Sequence, residues 1–240
     1  MRVIVVIPTY NERETITATM HALLDLPSKP DLLIVDDNSP DGTGDLVRAA
    51  VASTGGRIDL LERPAKLGLG RAYVAGFTRV IDTGGYDVVV QMDADGSHRT
   101  ADVERLVAAL EDADLAIGSR YVPGGSSAGL TAPREVLSRG GNLYARALLR
   151  AGVNDLTGGF KAWRAALLTE ILTEATVISD GYGFQVEMTL RAARLGARIR
   201  EVPIDFLERQ AGHSKMNWRI ATEAAWVVPA MAWRNRNPRR

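Results

Sequence analysis

The alternation of short apolar runs with helix-length segments over the first 120 residues is the feature that most constrains the fold. The apolar runs are rich in β-branched side chains, which is typical of strands buried on both faces of a parallel sheet. They are Arg2–Ile7, Leu32–Val35, Ile58–Leu61, Val88–Met92 and Leu115–Ile117. The segments between them, predicted as helices, are Glu12–Leu26, Gly42–Ala52, Leu69–Asp82 and Thr100–Glu111. The alternation predicts an α/β fold with a doubly wound, Rossmann-like, mostly parallel sheet.

After Ser119 the predicted elements become mixed. Tyr121–Pro133 is a loop rich in Gly, Ser and Pro, and Asp155–Lys161 is a turn leading into a short strand. The other predicted elements are helices at Arg134–Arg150, Gly183–Leu195 and Trp218–Arg234, and a strand at Arg198–Val202. The sequence contains no repeat or linker, so we expect one domain over residues 1–215 and a C-terminal helical elaboration over residues 216–240.

Composition excludes several classes of site and partner. The chain has no cysteine, which excludes disulfides and thiolate metal sites, and its three histidines argue against a multi-histidine metal site. Basic and acidic residues number 29 each, so no overall charge draws the protein to nucleic acid. The longest apolar run, Ala224–Trp233, has ten residues and contains Pro229, whereas a spanning helix needs roughly 20. We therefore expect no membrane-spanning segment.

Charge is unevenly distributed along this neutral chain. Between Asp87 and Ser119 eight acidic residues stand against two arginines, whereas Thr189–Arg240 has eleven basic residues against four acidic ones. An acidic middle and a basic tail suggest a cation site and an anionic partner.

Four polar loops follow predicted strands. In open α/β sheets, ligands bind at the carboxyl ends of the strands, so these loops are expected to share one edge and form a site. The loops are Pro8–Glu12, Asp36–Thr43, Asp93–His98 and Gly118–Tyr121.

Two of these loops carry paired acids. Asp93 and Asp95 can converge on a hard divalent ion, or they can form a solvated turn that caps the next helix. Asp36 and Asp37 can accept hydrogen bonds from a ribose or base edge, or can belong to a simple capping turn. Gly68-Leu69-Gly70 lacks the third glycine of a dinucleotide motif because Tyr73 stands there, which excludes a nicotinamide site.

Several cations lie in or beside loops of the second half. Converging arginines would mark a polyanionic substrate, although each one by itself fits an ordinary surface charge equally well. These residues are Arg120, Arg134, Arg139, Arg209 and Lys215.

Taken in order, the motifs resemble the inverting family 2 glycosyltransferases of the GT-A fold, and more narrowly the dolichyl- or polyprenyl-phosphate mannose synthases. The first group of motifs is Pro8–Glu12, Asp36–Thr43, Asp93–Asp95 and Gly118–Tyr121. The second group is Ser138–Asn142, Asp155–Phe160, Gly181–Glu187, Glu201–Ile204 and Gly212–Lys215. The resemblance covers about residues 3 to 215 and implies a GT-A catalytic domain over residues 1–215.

The resemblance implies transfer of mannose from GDP-mannose to the phosphate of a polyprenol, with inversion. Residues implied for guanosine are Pro8, Tyr10, Glu12, Val35 and Asp37, and those implied for ribose and diphosphate are Asp93, Ala94 and Asp95. Asp95 would be the principal ligand of Mg²⁺ or Mn²⁺, with Asp93 and, less directly, Ser97. Arg120, Arg209 and Lys215 would contact the donor phosphates, and Arg134 and Ser138 the acceptor phosphate.

The implied chemistry needs no catalytic base, because a phosphate monoester is already largely ionised, with a second pKa of about 6. The groups expected to act in catalysis are then Asp95, Arg120, Arg134, Ser138 and Arg209, which position the acceptor and neutralise the leaving diphosphate. We expect a peripheral enzyme on the inner, cytoplasmic face of the cell membrane, docked there by an integral-membrane partner or by its own C-terminal segment.

The C-terminal segment has two readings. Its tryptophans and apolar residues, Val228 and Met231 among them, can lie in a lipid interface with the terminal arginines facing anionic headgroups. Alternatively, the segment is a helix packed on the domain's own core.

Three other functions remain open. One is a polyprenyl-phosphate glycosyltransferase that uses UDP-glucose or another donor. The second is a module that binds nucleotide sugars without turnover. The third is a family 2 transferase with a hydroxyl acceptor, for which Glu187 would serve as base.

Overall fold

A computed structural model describes residues 1–127, 131–174, 177, 179, 181–207, 228, 229 and 231. The strands are β1 (Val3–Thr9), β2 (Asp31–Asp36), β3 (Ile58–Glu62), β4 (Val88–Gln91), β5 (Leu115–Ser119), β6 (Lys161–Arg164) and β7 (Ile199–Pro203). The helices are α1 (Ile16–Leu24), α2 (Thr43–Ser53), α3 (Leu69–Thr83), α4 (Asp102–Ala109), α5 (Ala132–Leu149), α6 (Ala165–Glu174) and α7 (Gly181–Arg194). The five strands and four helices predicted for the first 120 residues are all present.

The strands form one seven-stranded sheet in the order β3-β2-β1-β4-β6-β5-β7. Every neighbouring pair is parallel except the two that include β6, which runs antiparallel between β4 and β5. The doubly wound, mostly parallel sheet is therefore confirmed, with one reversed strand inside it.

The sheet is buried on both faces, and each face contributes a separate apolar cluster. Val6, Leu33 and Val35 point into one cluster with α3, whereas Val5 and Ile7 point into the other with α1. This explains why the first strands are apolar at every position and do not alternate with polar residues.

Pro8 lies inside the central strand β1 without disrupting it. The last residue of β1 paired with β4 is Val6, whereas Pro8 still pairs with Val35 of β2. The missing N–H of Pro8 therefore removes no bond from the β1–β4 ladder, which has already ended. The pairing of β1 with β4 ends at this point, where the chain enters the loops at the carboxyl edge of the sheet.

The helix α6 was not predicted. It follows β6 directly, with Ala165 next to Arg164, so no loop residue or capping motif separates the two elements in the sequence. Leu167, Leu168 and Ile171 bury its inner face in the same cluster as Trp163.

The predicted final helix Trp218–Arg234 lies outside the described residues except for Val228, Pro229 and Met231. Val228 and Met231 are buried in the cluster that also contains Ala145 and Leu149 of α5. For these two residues the structure shows packing on the domain's own core. No helix within the described part of the chain combines the length and the apolarity needed to cross a bilayer.

Candidate active site

The loops after β1 and β2 are tied together at the carboxyl edge of the sheet. Asp36 accepts hydrogen bonds from the hydroxyls of Thr9 at 2.7 Å and Ser39 at 2.6 Å. The backbone N–H of Glu12 donates to the hydroxyl of Thr43 at 3.0 Å. Asp36 therefore shapes the loop, which is the capping-turn alternative from the sequence, whereas Asp37 faces different partners.

Asp37 is buried and paired with Arg63, whose Nη1 donates to Asp37 Oδ1 at 2.7 Å. Burial raises the pKa of Asp37, although the positive charge of Arg63 acts in the opposite direction. Nearby, the Lys66 Nζ lies 4.1 Å from the ring centre of Tyr10, a cation–π contact. Sequence reasoning missed Arg63 and Lys66, although both belong to the loop that follows β3.

The two acids after β4 are held in different ways. Asp93 Oδ1 accepts a hydrogen bond from the buried Tyr73 hydroxyl at 2.7 Å. Asp95 Oδ1 accepts two bonds from Ser97, one from its N–H at 3.0 Å and one from its hydroxyl at 2.5 Å. Ala94, between the two acids, is buried. Ser97 thus orients Asp95, and its role toward a metal stays a prediction.

His98 lies in the same turn with both ring nitrogens buried and without a hydrogen-bond partner among the described residues. Its ring stacks on Phe160 at 4.8 Å between centres, and its Nε2 lies 3.9 Å from Asp93 Oδ2. Burial lowers the pKa of His98, the opposing effect of Asp93 and Asp95 notwithstanding.

The donor set of this turn fits a hard divalent cation that is shared with a substrate. Two carboxylates and a hydroxyl are the oxygen ligands that Mg²⁺ and Mn²⁺ accept. Among the described residues, no group of three or more histidine, cysteine or acidic side chains is placed to hold a metal by itself. An ion at Asp93 and Asp95 would therefore complete its coordination with water or substrate oxygens.

On the other side of the edge, Arg120 is bound to the fully buried Asp155. Its Nε and Nη2 donate to the two carboxylate oxygens at 2.8 Å each, and Nη2 also donates to the Thr157 hydroxyl at 2.7 Å. Burial by itself would raise the pKa of Asp155, but Arg120 and its hydrogen bonds hold it below the ordinary value.

The remaining guanidinium nitrogen of Arg120 points to the predicted acceptor residue Ser138. Nη1 of Arg120 lies 3.4 Å from the Ser138 hydroxyl, which is also 2.7 Å from the hydroxyl of Tyr121. The structure thus places Arg120 beside Ser138, and its contact with donor phosphates stays a prediction. Tyr121 belongs to the Gly118–Tyr121 loop, but the sequence predicted no role for it.

The loop that carries Asp155 is fixed by residues distant in the chain. The carboxylate of Glu201 accepts the backbone N–H groups of Asn154 at 2.7 Å and Asp155 at 2.8 Å. Further along the loop, a side chain at Gly158 would bring its Cβ within 3.1 Å of the Gly118 carbonyl oxygen. Glycine therefore allows the loop to pass close to the end of β5.

A buried polar network that the sequence did not reveal lies behind the edge. Lys161 is fully buried, and its Nζ donates to the backbone oxygen of Gln185 at 2.9 Å and to the Gln185 Oε1 at 3.0 Å. Gln91 Nε2 donates to the same Oε1 at 2.7 Å. Burial lowers the pKa of Lys161 to about 7, even though Asp155 and Asp93 raise it.

Glu187, the candidate base for a hydroxyl acceptor, is already engaged. The side chain is buried. Its Oε1 accepts a hydrogen bond from Arg191 Nη2 at 2.6 Å, and its Oε2 accepts one from the backbone N–H of Ser179 at 2.9 Å. A carboxylate bound in this way is poorly suited to accept a substrate proton.

Three predicted residues cannot be placed at the site by their side chains. Arg209 and Lys215 lie outside the described residues, and Arg134 is described only by its backbone in the first turn of α5. The structure therefore brings together Pro8, Tyr10, Glu12, Val35 and Asp37 at one side, Asp93, Ala94, Asp95 and Ser97 in the centre, and Arg120 with Ser138 at the other.

Comparisons with known proteins agree with this arrangement. The sequence profile of glycosyl transferase family 2 matches residues 4–172. The chain is 48% identical to the undecaprenyl-phosphate mannosyltransferase of Micrococcus luteus, over 97% of this chain and 94% of that protein. It is 44% identical to the polyprenol monophosphomannose synthase of Mycolicibacterium smegmatis, over 98% of this chain and 88% of that protein.

Solved structures share the fold at lower identity. A glucosyl-3-phosphoglycerate synthase from Mycobacterium tuberculosis, solved with Mn²⁺ and UDP, superposes with a TM-score of 0.66 at 20% identity, covering 97% of this chain and 79% of that one. A mannosyltransferase from Pyrobaculum calidifontis, solved with GDP-Man and Mn²⁺, gives 0.63 at 21% identity over 97% of this chain and 64% of that one. These glycosyltransferases confirm the GT-A-like fold. The chain therefore belongs to glycosyl transferase family 2, in the family of polyprenyl-phosphate mannosyltransferases that its two curated relatives represent.

Proposed function

We propose that this protein transfers mannose from GDP-mannose to the phosphate of a polyprenol, with inversion, giving a β-linked polyprenyl-phosphate mannose. The observation that carries the proposal is the near-full-length similarity to two proteins named for transferring mannose to polyprenyl phosphate. The product would serve downstream lipid-linked mannosylation, including protein glycosylation.

In the proposed mechanism the donor occupies the side of the edge formed by the loops after β1, β2 and β3. The buried carboxylate of Asp37, fixed by Arg63, would accept hydrogen bonds from the guanine edge, and the Tyr10 ring would pack against the nucleoside. The hydrogen bonds that Asp36 accepts from Thr9 and Ser39 would hold this surface in place before the donor binds.

Asp93 and Asp95 are the residues that would hold Mg²⁺ or Mn²⁺, which neutralises charge on the leaving diphosphate. Tyr73 and Ser97 fix one oxygen of each carboxylate, so the other oxygens are oriented before binding. Arg209 and Lys215 would add positive charge beside the same diphosphate. Such preorganised charges contribute most where negative charge develops in the transition state.

The acceptor would approach from the side of Ser138. Hydroxyl groups of Ser138 and Tyr121, with Arg120 Nη1, form a cluster of hydrogen-bond donors that suits a phosphate, and Arg134 would join it. An ionised phosphate oxygen can attack the anomeric carbon from the face opposite the GDP, without losing a proton to the protein. The engagement of Glu187 by Arg191 supports this acceptor over a sugar hydroxyl.

We also propose that the protein works as a peripheral enzyme on the cytoplasmic face of the cell membrane, where its lipid acceptor lies, in contact with an integral-membrane partner. A polyprenyl phosphate presents its phosphate at the bilayer surface, so the catalytic domain would meet its acceptor there.

The test is transfer of radiolabelled sugar from GDP-mannose, UDP-glucose or UDP-N-acetylglucosamine to a short polyprenyl phosphate, with and without EDTA. Labelled lipid from GDP-mannose alone, lost on adding EDTA, is the expected result. The dephosphorylated polyprenol is the matched control acceptor and should remain unlabelled. Transfer to that alcohol, or lipid labelling from UDP-glucose but not from GDP-mannose, would contradict the proposal.

A further inference from the structure

His98 is a buried polar side chain that the proposed mechanism does not use. Its side chain is 3% exposed, and neither ring nitrogen has a hydrogen-bond partner among the described residues. A buried polar atom without a partner destabilises the folded state, so phenylalanine or leucine would fill the same space at a lower cost. The imidazole therefore needs an explanation other than packing.

Two aromatic rings fix the orientation of this imidazole. Phe160, which precedes β6, stacks on the His98 ring with 4.8 Å between the ring centres. Phe206, which follows β7, meets the same ring edge-on at 5.7 Å. Both distances are those of favourable aromatic pairs, so the two ring nitrogens are held at fixed positions beside the Asp93–His98 turn.

The segment after β7 is itself attached to the turn. The backbone N–H of Leu207 donates to the carbonyl oxygen of Ser97 at 3.1 Å. Asp205 forms an ion pair with Arg99 at 2.9 Å. The two contacts are made by the residues on either side of His98 in the sequence, so they keep the second aromatic ring in place over the imidazole.

The carboxylate of Asp93 lies beside the imidazole and is more accessible. His98 Nε2 lies 3.9 Å from Asp93 Oδ2, while Asp93 Oδ1 accepts the hydrogen bond from Tyr73. The Asp93 side chain is 28% exposed and can meet a bound ion, whereas the buried imidazole can affect that ion only through Asp93. A direct role of His98 as a metal ligand is not supported, because no group of three or more histidine, cysteine or acidic side chains in the described part of the chain is placed to hold an ion.

We infer that His98 is a positioning residue for Asp93, and that its Nε2–H donates to Asp93 Oδ2 when the nucleotide sugar binds. The present 3.9 Å is too long for a hydrogen bond, and a shift of about 1 Å would close it. Hydrogen bonds of this kind often shorten only in the substrate complex. With Tyr73 on one oxygen and His98 on the other, the plane of the carboxylate is fixed toward the metal. This role rests on the proposed function, in which Asp93 binds the ion.

The test measures Mn²⁺ binding in the presence of GDP, from the electron paramagnetic resonance signal of the unbound ion, so that no sugar transfer is needed. His98→Phe keeps an aromatic ring between Phe160 and Phe206 but removes both nitrogens. His98→Gln keeps an N–H donor at the end of the side chain. The control His21→Phe makes the same change at an exposed position of α1. We expect His98→Phe to bind Mn²⁺ about 10–100-fold more weakly, His98→Gln to recover most of the affinity, and His21→Phe to match the wild type.

Two further measurements separate positioning from a structural role. In EDTA all four proteins should bind GDP equally, and the urea midpoint of His98→Phe should equal or exceed that of the wild type, because the variant buries no unpaired nitrogen. Wild-type Mn²⁺ affinity in His98→Phe would overturn the inference. A lower urea midpoint together with weaker GDP binding in EDTA would also overturn it, and so would a folded His98→Gln protein that binds Mn²⁺ no better than His98→Phe. Failure of the wild type to bind Mn²⁺ with GDP would instead contradict the metal site of the proposed function.

Discussion

The two sides of the candidate active site, at the carboxyl edge of the sheet, are built in different ways. On the proposed donor side, Asp93 and Asp95 follow soon after β4, and Asp95 is held by Ser97, two residues further along the chain. On the proposed acceptor side, Asp155 is bound by Arg120, 35 residues earlier, and its backbone is held by Glu201, 46 residues later. The Asp95 carboxylate is thus held by a local hydrogen bond, whereas Asp155 is held by an ion pair and backbone contacts between elements that are distant in the chain.

The largest effect is expected from Arg120→Met. It leaves the fully buried Asp155 carboxylate without its cation, which should lower the free energy of unfolding by about 3–5 kcal/mol. Urea denaturation measures this loss. The control Arg105→Met removes the more exposed pair with Asp102 and should cost less than about 1 kcal/mol. Equal midpoints for the two variants would show that the Arg120 pair does not support the acceptor side.

Asp95→Asn tests the donor side. The variant should lower the rate of mannose transfer by about 10²–10³-fold because it weakens charge stabilisation at the leaving diphosphate. Its free energy of unfolding should not fall, since Ser97 can still donate to the remaining side-chain oxygen. Transfer rates and urea curves on the same preparations test both statements. A loss of stability as large as that of Arg120→Met would break the distinction between the two sides.

Lys161→Met tests the network behind the acceptor side through its pH dependence. The folded protein releases the Lys161 proton at about pH 7, whereas the unfolded chain keeps it until about pH 10.5. Between these values the folded state binds fewer protons, so wild-type stability should rise with pH relative to Lys161→Met, by up to about 1.4 kcal/mol per pH unit. Urea denaturation at several pH values from 7 to 9 measures the difference. Parallel curves for the two proteins would contradict it.

The smallest effect on catalysis is expected from Arg63→Ala, which removes the ion-pair partner of Asp37 on the proposed donor side. Without Arg63, Asp37 is less well positioned for the guanine, so KM for GDP-mannose should rise about tenfold while KM for the polyprenyl phosphate stays the same. Arg63→Lys, which keeps the charge, should recover part of the loss. A rise in KM for the acceptor instead would assign Arg63 to the wrong side of the site.

The difference between local and long-range contacts also determines how much of the fold and of the site could be predicted from the sequence. The parallel strands and the Asp93–Asp95 turn follow from local hydrophobic patterns and from the rule that ligands meet the carboxyl ends of strands. The reversal of β6 depends on which strands it pairs with, and Lys161 looks like an ordinary surface cation until that pairing buries it.

The Arg120–Asp155 pairing was equally out of reach. No local pattern shows that Arg120 turns toward Asp155, because packing between elements fixes this pair. Glu187 and Arg191, in contrast, lie four residues apart on α7, a spacing that predicts such an ion pair on a helix. The role of Ser138 was implied by family resemblance and stays a prediction, although the structure places it beside Arg120 and Tyr121.

The reversed strand β6 also has a consequence for the order in which the chain folds. The first four strands, complete at Gln91, pair among themselves as β3-β2-β1-β4. In contrast, β5 pairs, within the described part of the chain, only with β6 and β7, which emerge from the ribosome more than 40 residues later. Because domains and their parts assemble as they are synthesised, the part of the sheet formed by β1 to β4 should form early. Until β6 has been synthesised, both edges of β5 remain unpaired. We therefore expect a slow, aggregation-prone stage while the ribosome synthesises residues 119 to 161.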